Sequence, residues 1–328
     1  MKGKNRMACY KPLTAYLSTK LKANGKKVIS FNPGNGLELT HLPCGQCIGC
    51  RLERSRQWAM RCLHEKTLHK ENCFVTLTIN PEYMEKRGHT NLDKREIQLF
   101  MKRLRKKYGK GIRYYHCGEY GPKLGRAHYH ILIFGHDFKD KKFWKYSKPN
   151  KFVAISKKFP LYTSEELNSL WVMDGKSMGY SSIGEVSFDT AAYVARYILK
   201  KQNGKKGDEH YTNKETGEIT EKEYTTMSRR PGIGKGWLEK YESDMYPKDY
   251  ITIKGKKMRP PRYYDKQIEI SKPEMYKEIK EKRKDQINKK ILEDWKKPVD
   301  ERAPSLETQE YVRTQNQKNQ TRSYEDEA

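Results

Sequence analysis

The chain reads as an α+β protein, an antiparallel β-sheet with helices packed against it. Three features predict this. Short alternating apolar runs sit beside longer stretches with helical spacing, and together they follow the order strand, helix, hairpin, strand, helix. Aromatic residues make up 11% of the 328 positions, enough large rings to build a core in a chain that is only 35% hydrophobic.

Residues 1–62 are read as loop-rich. They carry five of the seven cysteines and the turn residues Asn32-Pro33-Gly34-Asn35-Gly36, and they lead into Cys44-Gly45-Gln46-Cys47-Ile48-Gly49-Cys50. From Leu52, Trp58, Cys62 and Leu63 recur at near-helical spacing among basic residues, which predicts an amphipathic helix with a basic outer face. Cys73 to Ile79 alternates and is stopped by Asn80-Pro81, so it is a strand. Leu92, Ile97, Phe100, Met101 and Leu104 lie near one helical stripe, closed by Gly109 and Gly111. Ile112 to Tyr120 and His128 to Gly135, joined across Gly121 to Gly125, read as a hairpin. A basic, aromatic insertion at about 136–180 leads to a short strand at Ile183 to Ser187 and a helix from about Thr190 to Gln202, stopped by Gly204. Beyond it lie a polar loop, an irregular stretch from Ser228 to Tyr264 and a charged helix over 273–297. The tail from Pro298, almost without apolar residues, is expected to be disordered.

Sixty-eight Lys and Arg against 41 Asp and Glu leave a formal charge of +27, which points to a polyanionic partner, nucleic acid first. No stretch approaches the roughly 18 apolar residues of a membrane span, and the start lacks a signal-peptide apolar block, so a reducing cytoplasm and no membrane are expected. Segments 139–151, 228–241 and 254–264 interleave Lys and Arg with Tyr and Trp, which suits a single strand whose bases stack on rings. For each segment alone, solvated surface is the plainer reading. No Walker A pattern is present, so strand separation would not be powered by that motif.

On a strand, His128 and His130 project to one face with Tyr129 on the other, and two imidazoles on one face can hold a metal. The hairpin can bring Glu119 beside them, giving two imidazoles and a carboxylate with open positions, a set that suits Mg²⁺ or Mn²⁺ engaging a phosphate. Taken singly, they read as structural histidines and an exposed, ion-paired glutamate. In the helix, Ala191, Val194, Ala195 and Ile198 form the apolar stripe. Tyr193, Tyr197 and Lys200 or Lys201 form a neighbouring one offset by about 100°. The two hydroxyls could reach one metal-held phosphate, with Arg196, Lys200 and Lys201 offering charge to the DNA backbone or the phenolate. The bland reading is packing tyrosines. Cys44-x-x-Cys47-x-x-Cys50 is expected by chance only about 0.003 times. It is one ligand short of a Cys₄ zinc site, which Cys9, Cys62 or Cys73 could complete. Cys9 is chosen, for a structural Zn²⁺ clasp, with an iron–sulfur cluster as the alternative.

Phe74 to Thr78 (FVTLT), Gly118 to Gly135 (GEYGPKLGRAHYHILIFG) and Tyr193 to Lys201 (YVARYILKK) occur in a set order. Together with the start LPCGQCIGCRLERSRQWAMRC, they resemble the HUH superfamily of rolling-circle replication initiators, most closely the initiators of gokushoviruses, single-stranded DNA phages of the Microviridae. The likeness covers about residues 1–205. It implies an HUH-type, RRM-like antiparallel sheet with the metal hairpin central and the tyrosine helix alongside. His128, His130 and Glu119 would be the metal ligands, and Tyr193 and Tyr197 the paired nucleophiles, one attacking the origin to leave a 5′-phosphotyrosyl link and a free 3′-OH, the other serving termination. Lys200 and Lys201 match the basic residues after the tyrosine motif. Tyr129 replaces an aliphatic residue, a departure that an outward-facing strand position tolerates. The likeness also implies single-stranded and replicative-form phage DNA as substrate, a borrowed host helicase and polymerase, and the host bacterial cytoplasm. The division expected is 1–62 (Cys-rich segment and helix), 63–204 (endonuclease core) and 205–328 (basic extension). Competing readings are a non-enzymatic, zinc-stabilised nucleic-acid-binding protein and a related HUH transposase or relaxase.

Overall fold

The computed structural model describes residues 9–21, 27–34, 37–121, 125–147, 159–196, 211–212, 217, 219–253 and 255–325. In chain order the elements are β1 (Leu13–Leu21), β2 (Lys27–Ser30), β3 (Glu38–Leu42), α1 (Ile48–Lys66), β4 (Asn72–Thr78), α2 (Pro81–Arg87), α3 (Lys94–Tyr108), β5 (Arg113–Tyr120) and β6 (Ala127–Phe134). Next come β7 (Lys142–Tyr146), β8 (Pro160–Thr163), α4 (Glu165–Leu170), β9 (Val172–Met173), β10 (Lys176–Ser177), β11 (Ser181–Gly184) and α5 (Phe188–Arg196). The last are β12 (Tyr224–Met227), α6 (Lys235–Met245), β13 (Ile251–Ile253), β14 (Lys256–Met258), α7 (Arg262–Ser271), α8 (Pro273–Trp295) and α9 (Leu306–Glu325). They fall into two compact units. One takes the described residues up to Arg54 with Glu278–Asn319, and the other takes Ser55–Lys277 with the end of the chain. Among the described residues no helix is long and apolar enough to cross a membrane.

The smaller unit holds an antiparallel sheet in the order β2-β1-β3, where a loop-rich start was expected. Only Ala15 of β1 is fully buried, so the alternation that announces a strand is faint. The expectation of a disordered tail is also corrected, since α9 runs from Leu306 to Glu325. Helical hydrogen bonds close within the segment and need no apolar core, so composition alone does not forbid them. Glu310 of α9 pairs with Lys11 at 3.3 Å.

In the larger unit seven strands form an antiparallel sheet in the order β12-β5-β6-β4-β11-β8-β7. One face packs Val75, Leu77, Tyr129, Ile131 and Ile133 against Ile97, Phe100, Met101 and Leu104 of α3 and against Trp171. The other packs Phe74, Tyr115, Cys117, Leu132 and Phe134 against Ala59 and Cys62 of α1 and Ala191, Val194 and Ala195 of α5. Each large apolar side chain buried this way contributes roughly 1.5–3 kcal/mol. Asn80-Pro81 both ends β4 and starts α2, with the Asn80 side chain accepting from the Tyr83 amide. The insertion at 136–180 supplies β7 and β8 to the sheet edge.

Two further expectations are corrected. Ser228 to Tyr264 is not irregular, because α6, the β13–β14 hairpin and the start of α7 lie within it. It is ordered by α1. The Arg61 guanidinium sits between the rings of Trp58 (4.0 Å) and Tyr263 (3.9 Å), and His64 stacks on Trp237 at 3.6 Å and bonds the Tyr264 hydroxyl at 2.8 Å. Trp237 and Tyr264 are therefore spent on packing rather than on a nucleic-acid surface. Tyr129 does not face outward either. It is fully buried in the α3 layer, where its hydroxyl donates to Glu96 at 2.6 Å and accepts from the Asp93 amide at 2.9 Å.

Candidate functional site

The β5–β6 register sets Glu119 opposite His128 and Cys117 opposite His130, and the β4–β6 register sets Thr76 opposite His130. Because alternate residues share a face, Glu119, His128, His130 and Thr76 all project toward the α1–α5 side. Glu119 and His130 are buried, and His128 is half-buried. His130 Nε2 faces Glu119 Oε1 at 2.8 Å, while its Nδ1 shares a hydrogen bond with Thr76 Oγ1 at 3.0 Å. His128 Nδ1 donates to the Arg126 carbonyl at 2.8 Å, which leaves Nε2 with the lone pair. Burial holds the His128 pKa below the usual imidazole range, despite the carbonyl bond and Glu119, so the neutral ligand form prevails. The His128 ring lies over Gly121, where a Cβ would come within 2.7 Å of its Cε1.

The expected strand ends at Gly184, and its last residue, Ser187, instead caps the tyrosine helix that follows. Ser187 and Thr190 cap each other. The Thr190 amide donates to Ser187 Oγ at 3.1 Å, and the Ser187 amide donates to Thr190 Oγ1 at 2.8 Å. Ser55 Oγ of α1 donates to the Ala192 carbonyl at 3.2 Å and ties the two helices together. Ala191, Val194 and Ala195 are fully buried, as the apolar stripe requires. Tyr193, on the neighbouring stripe, is half-buried and sets its ring edge-on to His130 with centroids 5.2 Å apart, and to Phe74 at 6.4 Å. The structure thus brings Tyr193, His130 and Glu119 together, with His128 one cross-strand pair away. Tyr197, Lys200 and Lys201 lie outside the described residues, as does the side chain of Arg196, the last described residue of α5.

Two imidazoles, at least one with its tautomer set by a second hydrogen bond, and a carboxylate are a fitting donor set for a divalent cation. The 2.8 Å between His130 Nε2 and Glu119 Oε1 is also near the ~3 Å that separates two ligands held at right angles ~2.1 Å from one ion. Thr76 and Phe74 were not singled out from sequence. Period two shows which residues share their face, but only the β4–β6 register, across more than fifty residues, sets them beside His130.

In the smaller unit Cys9 joins Cys44, Cys47 and Cys50. Among the described residues these four form the only set of three or more His, Cys, Asp or Glu whose ligand atoms all lie within 4.8 Å of one another. All are free thiols. Cys9 and Cys47 sulfurs stand 3.9 Å apart, close to the ~3.8 Å edge of a tetrahedron with ~2.3 Å zinc–sulfur bonds. Backbone amides point at the sulfurs, Cys44 to Cys9 and Tyr10 to Cys47 at 3.3 Å each, as around metal-bound thiolates. Burial opposes ionisation of Cys47, but amide donors from Cys50 and Tyr10 outweigh it and bring the thiol down to about 7, while burial pushes Cys9 and Cys50 up. The set can hold a metal such as zinc. Cys62 and Cys73, the other candidates for the fourth ligand, are buried in the larger unit instead.

The family model for replication-associated protein ORF2 matches residues 72–202, from the first residue of β4 through the tyrosine motif. The chain is 31% identical over 283 residues to replication-associated protein VP4 of Bdellovibrio phage phiMH2K, covering 83% of this chain and 80% of that protein. It is 30% identical over 309 residues to replication-associated protein ORF2 of Spiroplasma virus 4 (87% and 88%). To replication-associated protein ORF4 of Chlamydia phage 1 it is 34% identical over 164 residues (49% and 38%). No solved structure matches the chain. With relatives of this identity aligned along most of both chains, the protein belongs to the family of phage replication-associated proteins.

Proposed function

We propose that this protein is a rolling-circle replication initiator with an HUH-type core. It would nick phage DNA, single-stranded or replicative-form, in the host bacterial cytoplasm through a tyrosine nucleophile and later rejoin the displaced strand. The observation that carries this reading is the Tyr193 ring lying against His130, beside Glu119 and on the helix next to the hairpin that bears His128. A Mg²⁺ or Mn²⁺ ion held by Glu119, His128 and His130 would neutralise charge on the phosphate under attack. The chain's own residues account for the rest. The Tyr193 phenolic oxygen bonds to the scissile phosphorus, the bond from phosphorus to the 3′ oxygen breaks, and the phenol's proton ends on the released 3′-OH. The phosphodiester survives as a 5′-phosphotyrosyl link, so a later attack by a 3′-OH can reseal the strand without ATP. Tyr197, one helical turn further on, would be the second nucleophile, with Arg196, Lys200 and Lys201 meeting phosphate charge. Helicase and polymerase would come from the host.

The test incubates the full chain with a labelled origin strand and Mn²⁺, beside Tyr193→Phe, Tyr197→Phe and His130→Ala, on a denaturing gel. A protease-sensitive shifted band that requires metal, His130 and Tyr193 is expected. Tight DNA binding without any adduct would instead favour the non-enzymatic, zinc-stabilised binding protein.

A further inference from the structure

At the outer edge of the seven-stranded sheet, β7 is exposed at all five positions, Lys142 to Tyr146. Phe143, Trp144 and Tyr146 are 56%, 50% and 55% exposed. Three large rings on an open strand edge are a liability in water unless something covers them. The rings are held in place. Phe143 packs edge-on against Tyr146 at 5.1 Å and Tyr162 at 6.2 Å, and the Lys145 ammonium lies 3.8 Å from the Trp144 centroid. Two observations indicate what covers them. The pairing of β7 with β8 is broken by a register shift between Phe143 and Lys145, which blunts the edge against an added strand. Lysines flank and interleave the rings in a chain of net charge +27, so the complement is anionic as well as aromatic.

We infer that β7 is a stacking platform for single-stranded DNA, separate from the nicking site, with bases on Phe143, Trp144 and Tyr146 and Lys145 at the backbone. The inference rests on the replication-initiator reading for the identity of the strand. Four strand spacings, roughly 19 Å at ~4.8 Å each, separate β7 from β6. A strand engaged at both places would bridge about six nucleotides at a stacked spacing of ~3.4 Å. The platform would hold displaced or flanking strand close to the hairpin, without base-specific contacts.

The experiment measures anisotropy of labelled dT20 with the full chain across a salt series. It compares wild type, Trp144→Ala, Trp144→Phe, Phe143→Ala/Tyr146→Ala and Lys145→Gln, with melting checked for each. Trp144→Ala and the double variant should each weaken binding about ten-fold with the salt slope unchanged, and Trp144→Phe should recover most of the loss. Lys145→Gln should lower the slope by about 0.7. Binding within two-fold of wild type for both ring-removing variants, with melting intact, overturns the inference. So does a change in oligomeric state without a change in DNA affinity, which would make the edge a protein contact. Because dT20 carries no origin and the readout is binding, failure to form a covalent adduct would sink the initiator reading without deciding this outcome.

Discussion

Behind the candidate site a buried ion pair anchors the metal strand, and removing it should be costly. Glu96 on α3 is 1% exposed and accepts from Arg87 at 2.7 Å and from the Tyr129 hydroxyl at 2.6 Å. The other Arg87 nitrogens donate to the His89 and Asn91 carbonyls at 2.8 Å each, so the guanidinium is pinned, with its side chain 7% exposed. Glu96→Ala leaves that cation buried without its counter-charge, which costs about 3–5 kcal/mol. Tyr129→Phe removes one hydroxyl and strips the Asp93 amide of its acceptor, which costs about 1–3 kcal/mol. Because both changes delete the same Glu96–Tyr129 bond, the double variant should fall short of the sum by roughly 1 kcal/mol. Chemical denaturation followed by near-ultraviolet circular dichroism measures all three. Since Tyr129 stands between His128 and His130 on β6, the anchor also sets how those imidazoles are presented. A cost below about 1 kcal/mol for Glu96→Ala would refute the reasoning, because no buried pair of this geometry breaks so cheaply.

Three other expectations are open to measurement. Metal analysis of purified protein should find about one zinc per chain, lost in Cys47→Ser. A full complement retained by that variant would remove the thiol cluster as the site. Burial lowers His64 and His116 to about 3, against an ordinary value near 6.5, so the unfolded chain takes up protons first as pH falls. Stability should therefore be full above pH 6.5 and decline below it by about 1.4 kcal/mol per pH unit for each histidine, and an unchanged melting temperature from pH 7 to 5 would contradict this. Gly179 has φ +148°, and a Cβ there would lie 2.1 Å from the Thr78 carbonyl oxygen and 2.6 Å from the Asn80 nitrogen, both backbone atoms. Gly179→Ala should cost more than about 3 kcal/mol or prevent folding, whereas a wild-type melting curve would show the approach to be relaxed.

Strong local periodicity makes β4, α3, the β5–β6 hairpin and the start of α5 legible in the amino-acid sequence. Each carries at least three apolar residues at a single repeat, and the hairpin's short connection fixes Glu119 opposite His128 without long-range information. The Cys run announces a metal clasp, but only folding brings in Cys9, thirty-five residues before Cys44. What escapes depends on distant partners. β12 joins the sheet beside β5 from more than a hundred residues away, and α6 and α7 are ordered by Arg61 and His64 of α1 rather than by a stripe of their own. Tyr129 was misjudged because alternation tells which residues share a face but not that α3 covers the second face. Thr76 was invisible for the same reason, its role arising from a register between non-adjacent strands.

The central claim is that α5 carries the nucleophile against the His130–Glu119 pair. Its most direct test traps the covalent adduct on an origin strand, trims the DNA with nuclease and locates the residual nucleotide by tandem mass spectrometry of tryptic peptides. The account predicts the phosphonucleotide on Tyr193, transferred to Tyr197 only when Tyr193 is replaced. A nucleotide on a tyrosine outside this helix, or no linked peptide despite cleaved DNA, would contradict it.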